Sequence, residues 1–201
     1  DFGYQDLLNI KLTGFNAVRL FVFWGTLMPN NESTVNQDVF TSTIGPQHTT
    51  GLDDYVNWCE QLGLKLIIVL TVGGGAWPHP AWAFPGISRD ERYNYLFFNP
   101  GAIESMGLGN AWRTIAERYD NRAHVIFEIL NEPSFTSAVD KLSGAQAYKK
   151  WNEAVIDEIR SVEQTTHLIV VEFIRQGLAY REIVDEQPDI NRSNIAWATH
   201  R

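Results

Sequence analysis

Asn131-Glu132-Pro133 is the sharpest local signal in the chain, because it follows the apolar run His124–Leu130 without a spacer. An amide and a carboxyl would then stand at the C-terminal mouth of a buried strand. Parallel α/β proteins hold their ligands at such strand ends. Pro133 ends the strand pairing and stiffens the turn. The plain alternative is a solvent-facing loop glutamate ahead of a helix. Glu128 lies four residues before Glu132, and strand alternation puts the two on one face. Glu128 is therefore expected to point into the interior. Arg19, inside the run AVRLFVF, is its natural partner, since buried charges are seldom left unpaired. A direct chemical role for Glu128 is the sharper alternative to that ion pair.

Other motifs carry less. Gly73-Gly74-Gly75 after a strand invites a phosphate-loop reading, but no Gly-Lys-Ser/Thr follows and the G-x-G-x-x-G spacing is missing. No His/Cys/Asp spacing suggests zinc, and neither metal nor cofactor is expected. Cys59 lies on an apolar helical face and reads as core. Asn31-Glu32-Ser33 and Asn191-Arg192-Ser193 are glycosylation sequons, which matter only in a secreted protein.

The elements that must position these residues alternate. Leu7, Leu8, Leu12 and Phe15 suggest one helical face, and Ala17–Phe23 a strand. Leu52, Tyr55, Val56, Cys59 and Leu62 follow the i, i+3, i+4, i+7 rule, with Gly63 where a left-handed cap is wanted. Lys65–Val72 is the next strand. Ala111, Trp112, Ile115 and Tyr119 mark a helix, and His124–Leu130 a strand. Tyr148, Trp151, Val155, Ile159 and Val162 mark another helix, and Leu168–Phe173 a strand. Ala179–Val184 reads as a short helix, and Asn194–Thr199 as a fifth strand. The unit helix, Gly, link, apolar strand recurs in LTGFNAVRLF and QLGLKLIIVL. Continuous apolar strands with helical crossovers predict an α/β fold with a parallel sheet, in a single domain over residues 1–201.

Composition sets the outer bounds. The 201 residues hold 16 Lys+Arg against 24 Asp+Glu, a formal charge of −8 that argues against nucleic acid as a partner. The hydrophobic share of 44% is enough for a core. No apolar run reaches the roughly 18–20 residues of a membrane span. The chain opens at Asp1-Phe2-Gly3 with no leader pattern, which reads as a processed or partial chain.

The segment VIFEILNEP resembles the acid/base strand of glycoside hydrolase family 5, of the cellulase-like clan of retaining (β/α)8-barrel glycosidases. GFNAVRLFVFW resembles the family's arginine-bearing second strand, and NIAWATH its histidine-bearing sixth. The resemblance implies a (β/α)8 TIM barrel, of which strands two to six are present. It implies Glu132 as general acid/base, Asn131 as partner of the sugar 2-hydroxyl, Arg19 as the cation that holds the nucleophile ionised, and His200 as a polar wall of the site. Retaining hydrolysis uses one carboxyl to protonate the leaving oxygen and a second to attack the anomeric carbon. Glu132 must therefore carry a proton when substrate binds.

The implied substrate is a β-linked polysaccharide or its oligosaccharides, a glucan or mannan cut internally, and the implied location is extracellular. Trp24, Trp77 and Trp82 fall after strand ends, where flat rings can stack on sugars or simply pack. Trp24 is the expected platform, with Trp77 beside it. The third strand departs from the family pattern, ending Leu70-Thr71-Val72-Gly73-Gly74-Gly75 with His79 further on. The family's nucleophile belongs to a seventh strand that is not assignable here, and Glu172 is the nearest in-chain substitute. The missing strands are expected from the same polypeptide or a second chain. A carbohydrate-binding barrel lacking the nucleophile is the runner-up, and a phosphate-binding barrel enzyme a third reading.

Overall fold

The computed structural model describes residues 2–31, 33–41, 50–71, 86–87, 91–99, 101, 107–134, 141–164, 166–173 and 190–199. Their order is α1 (Tyr4–Leu12), β1 (Ala17–Phe23), α2 (Trp24–Leu27), α3 (Leu52–Leu62), β2 (Lys65–Thr71), α4 (Arg92–Phe98), α5 (Leu108–Tyr119), β3 (Val125–Glu128), α6 (Lys141–Arg160), β4 (Ile169–Glu172) and β5 (Ile195–Ala198). A 3-10 turn, Gln37–Val39, lies between α2 and α3. His200, Trp77, Trp82, His79, the Gly73–Gly75 run and the expected helix Ala179–Val184 fall outside the described residues.

The five strands form one sheet in the order β1-β2-β3-β4-β5, every neighbouring pair parallel. Sequential parallel order, with helices in the connections from β1 through β4, is the topology of a barrel wall, and the fold is a partial (β/α)8 barrel. All five expected strands are present, each starting within a residue of its expected place. The apolar runs earned that legibility because strands covered on both faces need apolar residues at every position. Leu66, Ile68, Val69 and Leu70 of β2 and Val125 and Phe127 of β3 are all buried.

The helices obey local rules. Gly51 opens α3, its N–H donating to Asp54 Oδ2 at 2.9 Å, and Gly63 closes it at φ 62°. A left-handed C-terminal residue of this kind satisfies the last carbonyls, and Gly adopts it without a Cβ clash. Gly51 is needed for another reason: a Cβ there would lie 2.4 Å from the Phe40 carbonyl oxygen. The first helix corrects the expectation of a four-residue apolar face. It stops at Leu12, and only Leu7 is buried, while Leu12 is 75% and Phe15 64% exposed. Phe15 lies beyond the helix end, so helical spacing no longer governs where it points. Cys59 is buried in the core, and burial pushes its thiol up to about 11.

Candidate active site

Register and alternation decide which side chains share the barrel interior. Arg19 pairs with Ile67, and Ile67 with Ile126. Glu128 is two residues beyond Ile126 and pairs with Val170, and Glu172 is two beyond Val170. Paired residues face the same way, and a step of two keeps the face. Arg19, Glu128 and Glu172 therefore all point to one side of the sheet, though they come from three strands.

They meet there. Arg19 Nε donates to Glu128 Oε2 at 2.8 Å, and its Nη2 reaches Glu128 Oε1, Glu172 Oε1 at 2.6 Å and Asn131 Oδ1 at 3.0 Å. The ion pair between Arg19 and Glu128 is as expected from sequence. Both carboxyl side chains are buried, and the arginine is partly exposed. Burial opposes the guanidinium's charge, yet the bond and charge of Glu128, with Glu172 and Glu132 nearby, hold its pKa above the ordinary value. The same guanidinium lies 4.9 Å from the centre of the Phe21 ring.

Asn131 and Glu132 follow β3 as a turn pinned from several sides. Asn131 N–H donates to Leu70 O at 2.9 Å, and Ile129 N–H to Val170 O at 3.1 Å, so the ladder continues past the strand proper. Glu132 takes a left-handed backbone, φ 48°, and its N–H donates to Glu172 Oε2 at 2.7 Å. A left-handed non-glycine residue costs about 1–2 kcal/mol, so the surroundings must compensate. Pro133 is buried, while Asn131 and Glu132 are half-buried. The resemblance groups Arg19, Asn131 and Glu132, and the structure places Arg19 against Asn131, with the Glu132 amide linked to Arg19 through Glu172.

Trp24 is a correction. It begins α2 rather than lying in a loop, and it is fully buried. As placed, its ring has no face to offer a sugar and serves as core. A helix of four residues such as α2 is too short to show periodicity in a sequence.

Two contributors went unseen. Tyr93 of α4 donates its hydroxyl to the Asn131 carbonyl at 3.0 Å, and burial with the nearby Glu172 and Glu132 raises its pKa strongly. Its only sequence signal is the aromatic cluster Tyr93, Tyr95, Phe97 and Phe98, which lacks a polar face. Glu172 is the other. Its sequence position suggests only a substitute nucleophile, whereas its side chain is fully buried and both its oxygens are occupied by Arg19 and the Glu132 amide. Burial and the hydrogen bond its protonated form gives to Glu128 push its pKa up to about 8, against the lowering effect of Arg19 and the Glu132 amide. Helices buttress both strand ends: Trp112 Nε1 donates to Ile129 O at 3.2 Å, and the Tyr148 hydroxyl to Glu172 O at 2.6 Å. Among the described residues no cluster of three or more His, Cys, Asp or Glu is arranged to hold a metal.

A parallel strand-and-helix wall with a carboxyl-bearing turn at its C-terminal rim belongs to the class of barrel enzymes that act at strand ends. Residues 5–201 match the model of the cellulases of glycosyl hydrolase family 5, and the chain belongs to that family. It is 26% identical over 107 residues to cellulase CelDZ1 of Thermoanaerobacterium sp, a match covering 51% of this chain and 26% of that protein. Endo-glycoceramidase II from Rhodococcus sp. superposes with a TM-score of 0.70 at 20% identity, over 98% of this chain and 50% of that one. Endoglucanase Cel5A from the hyperthermophilic Thermotoga maritima, a mutant form of which has been solved with cellobiose, superposes with a TM-score of 0.63 at 18% identity, over 100% of this chain and 53% of that one. The chain thus spans about half the length of these structural relatives, or less of the curated one.

Proposed function

We propose that the protein hydrolyses β-linked glucan or mannan internally with retention of configuration, Glu132 serving as acid/base. The observation that carries this is the Asn131-Glu132 turn, fixed at the end of β3 by the Arg19 cluster. Such a turn can hold a carboxyl in one geometry while a glycosidic oxygen is protonated. The family and the cellobiose complex of the Cel5A relative favour a β-glucan. In this reading Asn131, its amide oxygen engaged by Arg19, turns its NH2 toward the sugar 2-hydroxyl, a bond that strengthens in an oxocarbenium-like transition state. His200 and Trp77 complete the sugar contacts.

The mechanism needs a second carboxylate about 5–5.5 Å from the first. Glu128 and Glu172 are buried and tied to Arg19, so neither serves. We assign the nucleophile to a residue outside those described, on the same polypeptide or another chain. A barrel that binds carbohydrate without cleaving it is the competing reading, favoured by this engagement of both neighbouring carboxylates. An extracellular location is part of the proposal, because polymeric glucan does not cross membranes.

The deciding experiment is Glu132→Gln in the full chain. Hydrolysis of β-glucan should fall by about 100-fold or more, the scale of lost general acid catalysis. Azide should partly restore turnover of an aryl glycoside whose leaving group needs no acid. Unchanged polysaccharide turnover would remove Glu132 from the role, and binding without hydrolysis by the wild type would favour the competing reading.

A further inference from the structure

We propose that Glu172 is a positioning residue for the Glu132 turn: anchored by Arg19, its carboxyl takes the Glu132 backbone N–H, maintains that residue's left-handed backbone and so aims the acid/base side chain. The inference rests on the assignment of Glu132 as acid/base. Each oxygen of Glu172 has a separate task. Oε1 receives Arg19 Nη2 at 2.6 Å, and Oε2 receives the Glu132 N–H at 2.7 Å. The residue's backbone is held as firmly, its carbonyl by the Tyr148 hydroxyl at 2.6 Å, and the next N–H, that of Phe173, by Ala198 O at 3.0 Å. With no exposed surface it cannot touch a sugar. It can act only through the turn it supports.

Among the described residues the groups facing Glu172 are Arg19 from β1, Glu128 from β3, Glu132 from the turn, Tyr93 from α4 and Tyr148 from α6. One guanidinium among two buried carboxyls favours retention of a proton by the pair, since two adjacent carboxylates repel. The rise of Glu172 to about 8 agrees with that arrangement. Glutamine keeps an acceptor for the Glu132 amide and a donor for Glu128, and gives up the bond from Arg19 Nη2, because its NH2 cannot accept. This separates a positioning role from a chemical one, because a nucleophile or acid does not survive replacement by an amide.

The test compares Glu172→Gln and Glu172→Ala with wild type in the full chain, on β-glucan and on a dinitrophenyl β-cellobioside. Glu172→Ala should lower kcat on the polymer by about 10–100-fold with little change in KM, as for a misplaced group. The loss on the aryl substrate should be smaller, because its departure needs no proton. Glu172→Gln, which keeps the acceptor for the Glu132 amide but not the Arg19 bond, should lose clearly less than Glu172→Ala on both. Equal inactivity of both variants on both substrates would overturn the proposal and put the Glu172 charge in the chemistry. Wild-type kinetics in Glu172→Ala would overturn it too. The Glu132 amide supplies a readout that needs no activity. In nitrogen–proton NMR it should lie downfield and exchange slowly in wild type and Glu172→Gln, and lose both properties in Glu172→Ala. An unaltered amide in Glu172→Ala overturns the positioning role. Inactive wild type with the expected amide behaviour instead counts against the acid/base assignment alone.

Discussion

Arg19 is one positive charge against two buried carboxyls, and its removal strands both. Breaking a buried ion pair from one side costs about 3–5 kcal/mol. Arg19→Met should therefore lower stability by about that amount at neutral pH. Urea titrations of the two proteins check this, and equal midpoints would contradict it. Glu172 makes a pH prediction. Its folded pKa is raised to about 8 from an ordinary 4.5, so the folded chain binds this proton more tightly than the unfolded chain. The resulting stability is complete below pH 4.5 and is lost as pH rises through about 8. Thermal midpoints should fall across that window, and Glu172→Gln should flatten the fall. The same pH slope in both proteins would show that the titrating group is elsewhere. For Trp24, burial replaces a loss of sugar affinity with a loss of stability. Trp24→Ala should cost about 3–5 kcal/mol, as for other buried aromatics. An unchanged denaturation midpoint with weaker oligosaccharide binding would restore the stacking role.

At the scale of elements, the helices that bracket the sheet are positioned by glycines and aromatic donors more than by their apolar stripes. Gly51 lies where α3 passes the Phe40 carbonyl, and a methyl group 2.4 Å from that oxygen has no room. Gly51→Ala should destabilise by about 1–3 kcal/mol, the usual scale of overpacking. Gly63→Ala should cost about 1 kcal/mol, from its left-handed backbone alone. Denaturant melts rank the two, and a larger loss at Gly63 would show that the contact with Phe40 relaxes. Ion pairs link neighbouring helices, Arg118 to Asp53 and Arg113 to Glu158. Being solvent-exposed, they contribute little and set angles rather than stability. The donors from Trp112 and Tyr148 matter more to the candidate site, since they fasten α5 and α6 to the ends of β3 and β4.

Across the whole molecule, the sheet determines what else the chain needs. Among the described residues β1 and β5 each pair on one side only. Phe15 and Phe21 near the β1 edge are 64% and 44% exposed. An unpaired strand edge with apolar neighbours recruits other chains. Residues 1–201 expressed alone should therefore associate, with a mass by light scattering above 22.9 kDa, and should not hydrolyse β-glucan. A monodisperse, active monomer would show that the chain closes its own edges and holds its own nucleophile.

What the sequence determined by itself was everything written in local periodicity and short motifs. The strands were legible because full burial makes apolar runs, α3 because of its i, i+3, i+4, i+7 spacing and Gly63, and the Asn131-Glu132 turn because it abuts a strand end. Even the pairing of Arg19 with Glu128, 109 positions apart, followed from the rule that buried charges seek partners. Register was the missing quantity. Sequence does not state that Val170 lies beside Glu128, and only that pairing lifts Glu172 to the level of the Glu132 turn. The burial of Trp24 and the reach of Tyr93 from α4 are of the same kind. Each depends on how separate elements approach in space, and no one-dimensional spacing encodes that approach.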